Sequence, residues 1–155
     1  MGISTVRGRF EEFDGSFELD ETGSLKTVHA TIQPQSINTR EPKRDAHLKS
    51  ADFFDAEKYP MEFHSTQVAP TGEGTYHIVG DLTLHGQTHP VELEAEVSRP
   101  IQDPMGNLRV GIEATGKLNR KDWGITWNVA LEAGGLMVSE TVSIHIESEA
   151  YQEKK

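Results

Sequence analysis

The sequence predicts an all-β fold, a single antiparallel barrel of about eight strands with one or two short helical turns. Three observations predict it. Apolar and polar residues alternate in runs of seven or more, turn-forming residues separate the runs at short intervals, and no helical crossover lies between them. Alternation of this kind buries one face of each strand and wets the other. Closing such a sheet removes its exposed edges and, at about eight strands, leaves an interior that side chains or one small ligand can fill.

Each element follows from its residues. Leu25 to Ile32 places Val28, Ala30 and Ile32 on one face. In Tyr76 to Leu84, residues Tyr76, Ile78, Leu82 and Leu84 share a face opposite His77, Asp81 and Thr83. Val91, Leu93, Ala95 and Val97 alternate with Glu92, Glu94 and Glu96 in the cleanest period of two in the chain. Leu108, Val110, Ile112, Ala114, Gly116 and Leu118 continue the pattern, and Val138 to Ser148 places Val142, Ile144 and Ile146 together. Turn signals stand at Phe13-Asp14-Gly15, Glu21-Thr22-Gly23, Pro70-Thr71-Gly72, His85-Gly86 and Asp103 to Asn107. Two helical turns are expected over Asp45 to Ser50 and Ser50 to Lys58, with Asp45, Ser50 or Asp52 as N-cap and Pro60 as stop. Phe53 and Phe54 then cover one end of the core. Near Asn119 to Gly124 another short turn is expected, with Asp122 as cap and Gly124 at positive φ. Tyr151 to Lys155 reads as a fraying polar end. Residues 1–155 form one domain.

Composition removes several function classes. The 155 residues carry 15 Lys+Arg against 25 Asp+Glu, a net charge of −10, so no basic field exists to condense on phosphates and no nucleic-acid partner is expected. Without cysteine there is no disulfide, thiolate metal site or cysteine nucleophile. No apolar stretch is long enough for a bilayer span, and the start at Met1 has no apolar signal region, so no stable membrane insertion is expected. A cytoplasmic location is expected, or a periplasmic or secreted one if a signal lies upstream.

Catalytic and metal signatures are sparse. His85 and His89 have the four-residue spacing of zinc ligands, but that spacing brings two imidazoles together only on a helix, and Gly86 and Pro90 place it in a turn. His77 and His145 fall on the polar phase of their strands and face solvent. Asp45, Asp52, Asp55 and Glu57 read as capping and solvated carboxylates. No Gly-x-Ser-x-Gly nucleophile elbow and no phosphate-cradling glycine loop occurs. No catalytic residue, metal or cofactor is therefore assigned. Trp123 and Trp127 face a ligand or fill a barrel mouth, with filling favoured.

The segment Arg44-Asp45-Ala46-His47-Leu48-Lys49-Ser50-Ala51-Asp52-Phe53-Phe54-Asp55, followed by Tyr59-Pro60-Met61-Glu62-Phe63-His64-Ser65-Thr66, resembles the YceI-like family. The resemblance extends upstream through Val6 to Phe10, Phe13-Asp14-Gly15 and Ser36 to Thr39. Downstream it includes Gly80 to Val91, Asn119 to Gly124 and Val138 to Ile144. It implies a lipocalin-like barrel whose interior holds a polyisoprenoid, isoprenoid quinone or other long-chain amphiphile. Family members usually begin with a further strand carrying Trp-x-Ile-Asp and His-Ser patterns, which this chain lacks. A strand gap follows as an expectation, and with it a homodimer formed through the unpaired edge.

The expected function is non-catalytic: binding, sequestration or transport of that amphiphile, without cofactor. Burial of about twenty methylenes at about 0.8 kcal/mol each gives about 16 kcal/mol gross, enough to drive association by apolar contact alone. The expected lining is Val28, Ile32, Phe63, Ile78, Leu82, Leu93, Val97, Val110, Ile112, Ala114, Val142 and Ile144. Small residues on the inward phase, Ala30, Gly80, Ala95, Ala114 and Gly116, suggest interior room. Arg44, Asp45 and His47 match the family's motif and are expected as head-group contacts or as ties between the turn and the barrel rim; Ser65 and Thr66 carry the same two readings. The alternative is an enzyme, an isomerase or hydrolase of a lipid-like substrate with His47 or Asp45 as acid–base. A third reading makes Glu92, Glu94 and Glu96 a protein-contact surface.

Overall fold

The computed structural model describes residues 8–22, 24–127 and 139–152. Val6, Arg7 and Val138, which belong to the segments read above, lie outside the described residues. The strands are β1 (Arg9–Phe10), β2 (Phe13–Leu19), β3 (Leu25–Ile32), β4 (Ile37–Asn38), β5 (Met61–Gly72), β6 (Thr75–Leu84), β7 (Gln87–Val97), β8 (Ile101–Gln102), β9 (Leu108–Asn119) and β10 (Thr141–Gln152). One helix, α1 (Pro42–Lys49), and two 3-10 turns, Pro34–Ser36 and Arg120–Trp123, complete the chain.

Seven long strands form a single antiparallel sheet in the order β10-β9-β7-β6-β5-β3-β2, with β8 beside β9 and the small pair β1-β4 apart. Hydrophobic alternation sets the register. Along β6 every second residue from Tyr76 to Leu84 is buried, and along β7 Val91, Leu93 and Ala95 are buried while Glu92, Glu94 and Glu96 are exposed. A one-residue slip would turn each apolar set to water, so the pairing Ile78↔Leu93 and Leu93↔Gly116 is strongly specified. A register shift in β5 between Ser65 and Gln67 adds a residue and resets the phase, returning Val68 to the inner face opposite Ile78.

The all-β architecture and the short helical turns agree with the sequence reading, and the sheet curls into a half-barrel. Its margins are β2 and β10, and among the described residues neither pairs with a further long strand. Among the described residues a seam between these two margins therefore stands in place of full closure.

Several local expectations are corrected. Phe13 to Gly15 is not a turn but the start of β2: Gly15 lies opposite Ala30, and a Cβ there would stand 3.2 Å from the His29 carbonyl oxygen, so glycine serves close strand approach. Pro70 to Gly72 remains in β5, and the chain reverses at Glu73-Gly74, where Gly74 has φ +74°. Helix α1 begins three residues before Asp45 because Pro42 occupies its first turn and the Glu41 carboxylate caps it by accepting from the Lys43 amide. Ser50 instead ends that helix, and residues 51–58 form non-helical turns. Asn119, not Asp122, caps the 3-10 turn by accepting from the Lys121 amide, while Gly124 takes φ +77° as expected. Tyr151 and Gln152 pair with Arg109 and Leu108 and belong to β10.

Candidate ligand-binding face

The inner face of the half-barrel is built by register. Ala30, Phe63 and Leu82 stand on one rung of β3, β5 and β6; Ile78, Leu93, Gly116 and Ile144 form another across β6, β7, β9 and β10. Of the expected lining, Phe63, Ile78, Leu82, Leu93, Val110 and Ala114 are buried. Val28, Ile32, Val97, Ile112 and Ile144 are half-buried, and Val142 is 41% exposed. Within this set exposure is greatest on the marginal strand β10, beyond which no strand lies among the described residues.

Two of the small inward residues, Gly80 and Gly116, stand close against a neighbouring side chain. A Cβ on Gly80 would meet the Phe63 ring, with Cε1 2.6 Å away, and one on Gly116 would lie 2.7 Å from Leu93 Cδ2. These glycines make room for neighbouring side chains, so at both positions the middle of the barrel is packed as core. At Gly80 the room left by the small residue is taken by the Phe63 ring, while Gly116 also lines a groove between β7 and β9.

One end is closed by aromatic rings. Trp123, 1% exposed, donates its indole N–H to the Leu82 carbonyl at 2.8 Å, and His89 packs edge-on against it. His85 Nδ1 lies 3.1 Å from the Trp123 carbonyl, so His85 and His89 brace this end. Trp127, Phe53 and His47 cluster beside it, with ring centroids 4.5 Å apart for His47 and Trp127 and 5.5 Å for Phe53 and Trp127. Buried Arg120 fastens the segment by donating to the carbonyls of Ser139 and Ile125, and burial pulls its pKa down from the ordinary value. Sequence reading missed Arg120 and Thr39, since their partners are backbone atoms and neighbouring turns that no spacing advertises.

Arg44 and Asp45 are committed to structure. Arg44 donates to the hydroxyl and carbonyl oxygens of Thr39, and Asp45 accepts from the Thr39 amide and hydroxyl. The Thr39 hydroxyl holds the Asp45 carboxyl below the usual carboxylate range. His47 alone of the three reaches the aromatic end, with Nε2 2.9 Å from Asp52 Oδ2. Ser65 accepts from the Val28 amide at 2.9 Å and Thr66 donates to the Val79 carbonyl at 3.2 Å, which ties strands together.

At the margins the inner face is uncovered. Val142, Ile144 and Ile146 on β10 share the phase of Leu118, Gly116 and Ala114, and Val142 and Ile146 are 41% and 37% exposed. Across the sheet, Phe13 on β2, opposite Ile32, is 55% exposed, while Phe17, opposite Val28, packs against the core. Sequence reading had not placed Phe13 and Phe17 on this face, because the Asp14-Gly15 pair read as a turn. The outer face is polar by contrast. A groove of about 890 Å³ opens where β7 and β9 part beyond Leu93↔Gly116, lined by the polar His77, Glu92 and His145 and by the inner-face Val91, Leu118 and Ile144. No helix among the described residues is long and apolar enough to cross a membrane.

Similarity to known proteins covers the same elements. The Serratia proteamaculans "UPF0312 protein" is 45% identical over 128 residues, 81% of this chain and 66% of that protein. "Protein YceI" of Escherichia coli is 40% identical over 156 residues, 99% of this chain and 78% of its own length. The chain thus spans about two-thirds of the length of the first of these relatives. Among solved structures, the Campylobacter jejuni YCEI protein superposes with a TM-score of 0.85 at 28% identity, covering 99% of this chain and 89% of that one. Burkholderia cenocepacia BcnA shares the fold with a TM-score of 0.73 at 19% identity, over 92% of this chain and 86% of its own. Because residues 1–150 match the YceI-like domain and carry the inner-face alternation from β2 to β10, the chain belongs to the YceI-like family.

Proposed function

We propose that the chain binds a long apolar or amphiphilic small molecule, of the polyisoprenoid, isoprenoid-quinone or fatty-acyl kind, along the seam of the half-barrel. The observation that carries this reading is that apolar inner-face residues of both margins, Phe13, Val142 and Ile146, stand exposed while continuing a face whose central residues, such as Ile78 and Leu93, are buried. Large apolar side chains left exposed on the inner face of a sheet are the kind of surface that binding covers. About ten methylenes laid along it release about 8 kcal/mol gross, within the range needed to offset the cost of association. The packed middle supports a ligand lying against the seam, with Val28, Leu118 and Ile144 as its floor, rather than one threaded through a hollow centre. The acidic chain disfavours anionic surfaces and leaves a neutral or cationic head group compatible.

Titration of the intact protein with a long-chain polyprenol or a neutral fatty-acyl ester, followed by tryptophan fluorescence and native mass spectrometry, tests the reading. Saturable binding is expected, and Val142→Glu with Ile146→Glu should weaken it at least tenfold. Unchanged affinity in that variant, or no binding by the parent, would count against it. One contact supports the enzyme alternative, His47 Nε2 held by Asp52 beside Trp127. Under the binding reading, His47→Ala alters retention of an amphiphile and nothing turns over; conversion of a lipid-like substrate that His47→Ala abolishes would favour the enzyme. The two unpaired margins also support strand pairing with a second copy.

A further inference from the structure

On the outer face, away from the seam, two histidines meet that lie 35 residues apart in the chain. His29 on β3 and His64 on β5 occupy directly opposed positions in the antiparallel register. Their neighbours Ala30 and Phe63 point inward, so both imidazoles point outward, and both are exposed. The rings stack with centroids 4.2 Å apart and planes inclined by 26°. Carboxylates flank the pair: Glu62 Oε2 lies 3.6 Å from His64 Nε2, and Asp81 is the residue of β6 opposite His64. The rung from β2 to β6 therefore reads Ser16, His29, His64, Asp81.

We propose that His29 and His64 chelate a late first-row transition-metal ion, with Glu62 or Asp81 as a carboxylate ligand. Directly opposed residues on neighbouring strands hold their Cβ atoms about 4.5–5.5 Å apart. From that spacing, rotation of the two imidazoles out of their stack can bring one nitrogen of each to the roughly 2.0–2.1 Å that such a metal requires. Side chains standing on two paired strands are already positioned by the backbone, which lowers the ordering cost of chelation. Two imidazole nitrogens with carboxylate oxygen suit copper, nickel or zinc, and Cu²⁺ is the tightest of the series; magnesium and calcium prefer all-oxygen sites. A second cluster, Glu113, His145 and Glu147 on β9 and β10, brings its ligand atoms within 4.8 Å of one another but offers one imidazole only, and it serves as the internal competitor.

Calorimetric titration of the tag-free chain with Cu²⁺ and with Zn²⁺ tests the site, together with the electron paramagnetic resonance spectrum of the Cu²⁺ form. One equivalent of Cu²⁺ should bind, more tightly than Zn²⁺, with two nitrogen ligands in the spectrum. His29→Ala and His64→Ala should each weaken binding by about tenfold or more, since even outer-shell partners of metal ligands are worth 10–100-fold. Both side chains are exposed, so both variants should keep the parent's unfolding midpoint without metal and lose the rise that Cu²⁺ gives the parent. Absence of binding to the parent would overturn the proposal. So would affinity that survives in both variants, or affinity lost in His145→Ala instead.

Discussion

Trp123 reaches across 41 residues of sequence to hand its indole hydrogen to the Leu82 carbonyl at 2.8 Å, joining the 3-10 turn to β6. The bond is buried, so removing the donor leaves a carbonyl lone pair without its partner in an apolar surrounding. Trp123→Phe should therefore destabilise the chain by about 1–3 kcal/mol, read as a lower urea midpoint with an unchanged slope.

Gly80 faces the Phe63 ring so closely that the smallest side chain must displace it. Both residues are buried, and β5 and β6 are paired on both sides, which leaves little room for adjustment. Gly80→Ala should cost about 1–3 kcal/mol by overpacking. Gly80→Ala with Phe63→Leu should be less destabilised than the sum of the two single variants, as a double-mutant cycle would measure.

Three groups set the pH dependence of stability. The Thr39 hydroxyl lowers the Asp45 pKa and the Arg109 guanidinium lowers that of Asp103, both from 3.8, while hydrogen bonding to Glu94 raises that of His77 from 6.5. A depressed carboxyl contributes stability above its unfolded value that is lost as pH falls through the folded one, so Asp45 and Asp103 give a loss beginning near pH 4 and continuing below it. A raised imidazole does the reverse: the His77 contribution is complete below pH 6.5 and disappears as pH rises through its higher folded value. Urea midpoints measured across pH should decline as pH rises above 6.5 in the parent, and this decline should be smaller in His77→Gln.

Much of the fold was legible because its signals are local. Strict alternation in β6 and β7 assigns Ile78, Leu82, Leu93 and Ala95 to the inner face without any tertiary information. The short turns at His85-Gly86 and Pro104 to Gly106 were equally plain. Phe13 and Phe17 were missed because a glycine needed for strand approach looks like a glycine needed for a turn. The start of α1 was misplaced because Asp45 has a capping side chain, yet that side chain serves Thr39. The His29 and His64 pair was invisible, since only register brings together strands separated by a helix. Whether a small residue leaves a hollow or admits a neighbour also depends on the opposite strand, as Gly80 and Phe63 illustrate.

The margins β2 and β10 present backbone N–H and C=O groups without strand partners among the described residues. Sedimentation velocity across a hundredfold range of concentration should show a monomer–dimer equilibrium. Ile146→Lys, which places a charge on the β10 margin, should shift it toward monomer. A monomer at every concentration would contradict pairing through these edges.

The central claim is that the exposed inner-face strip is a binding surface for a long-chain molecule. Native mass spectrometry of the purified chain, beside mass analysis of its organic extract, tests it most directly. A stoichiometric long-chain species is expected in the parent, depleted in Val142→Glu with Ile146→Glu. A parent free of such a species, which also fails to retain added polyprenol or a neutral fatty-acyl ester, would overturn the binding reading.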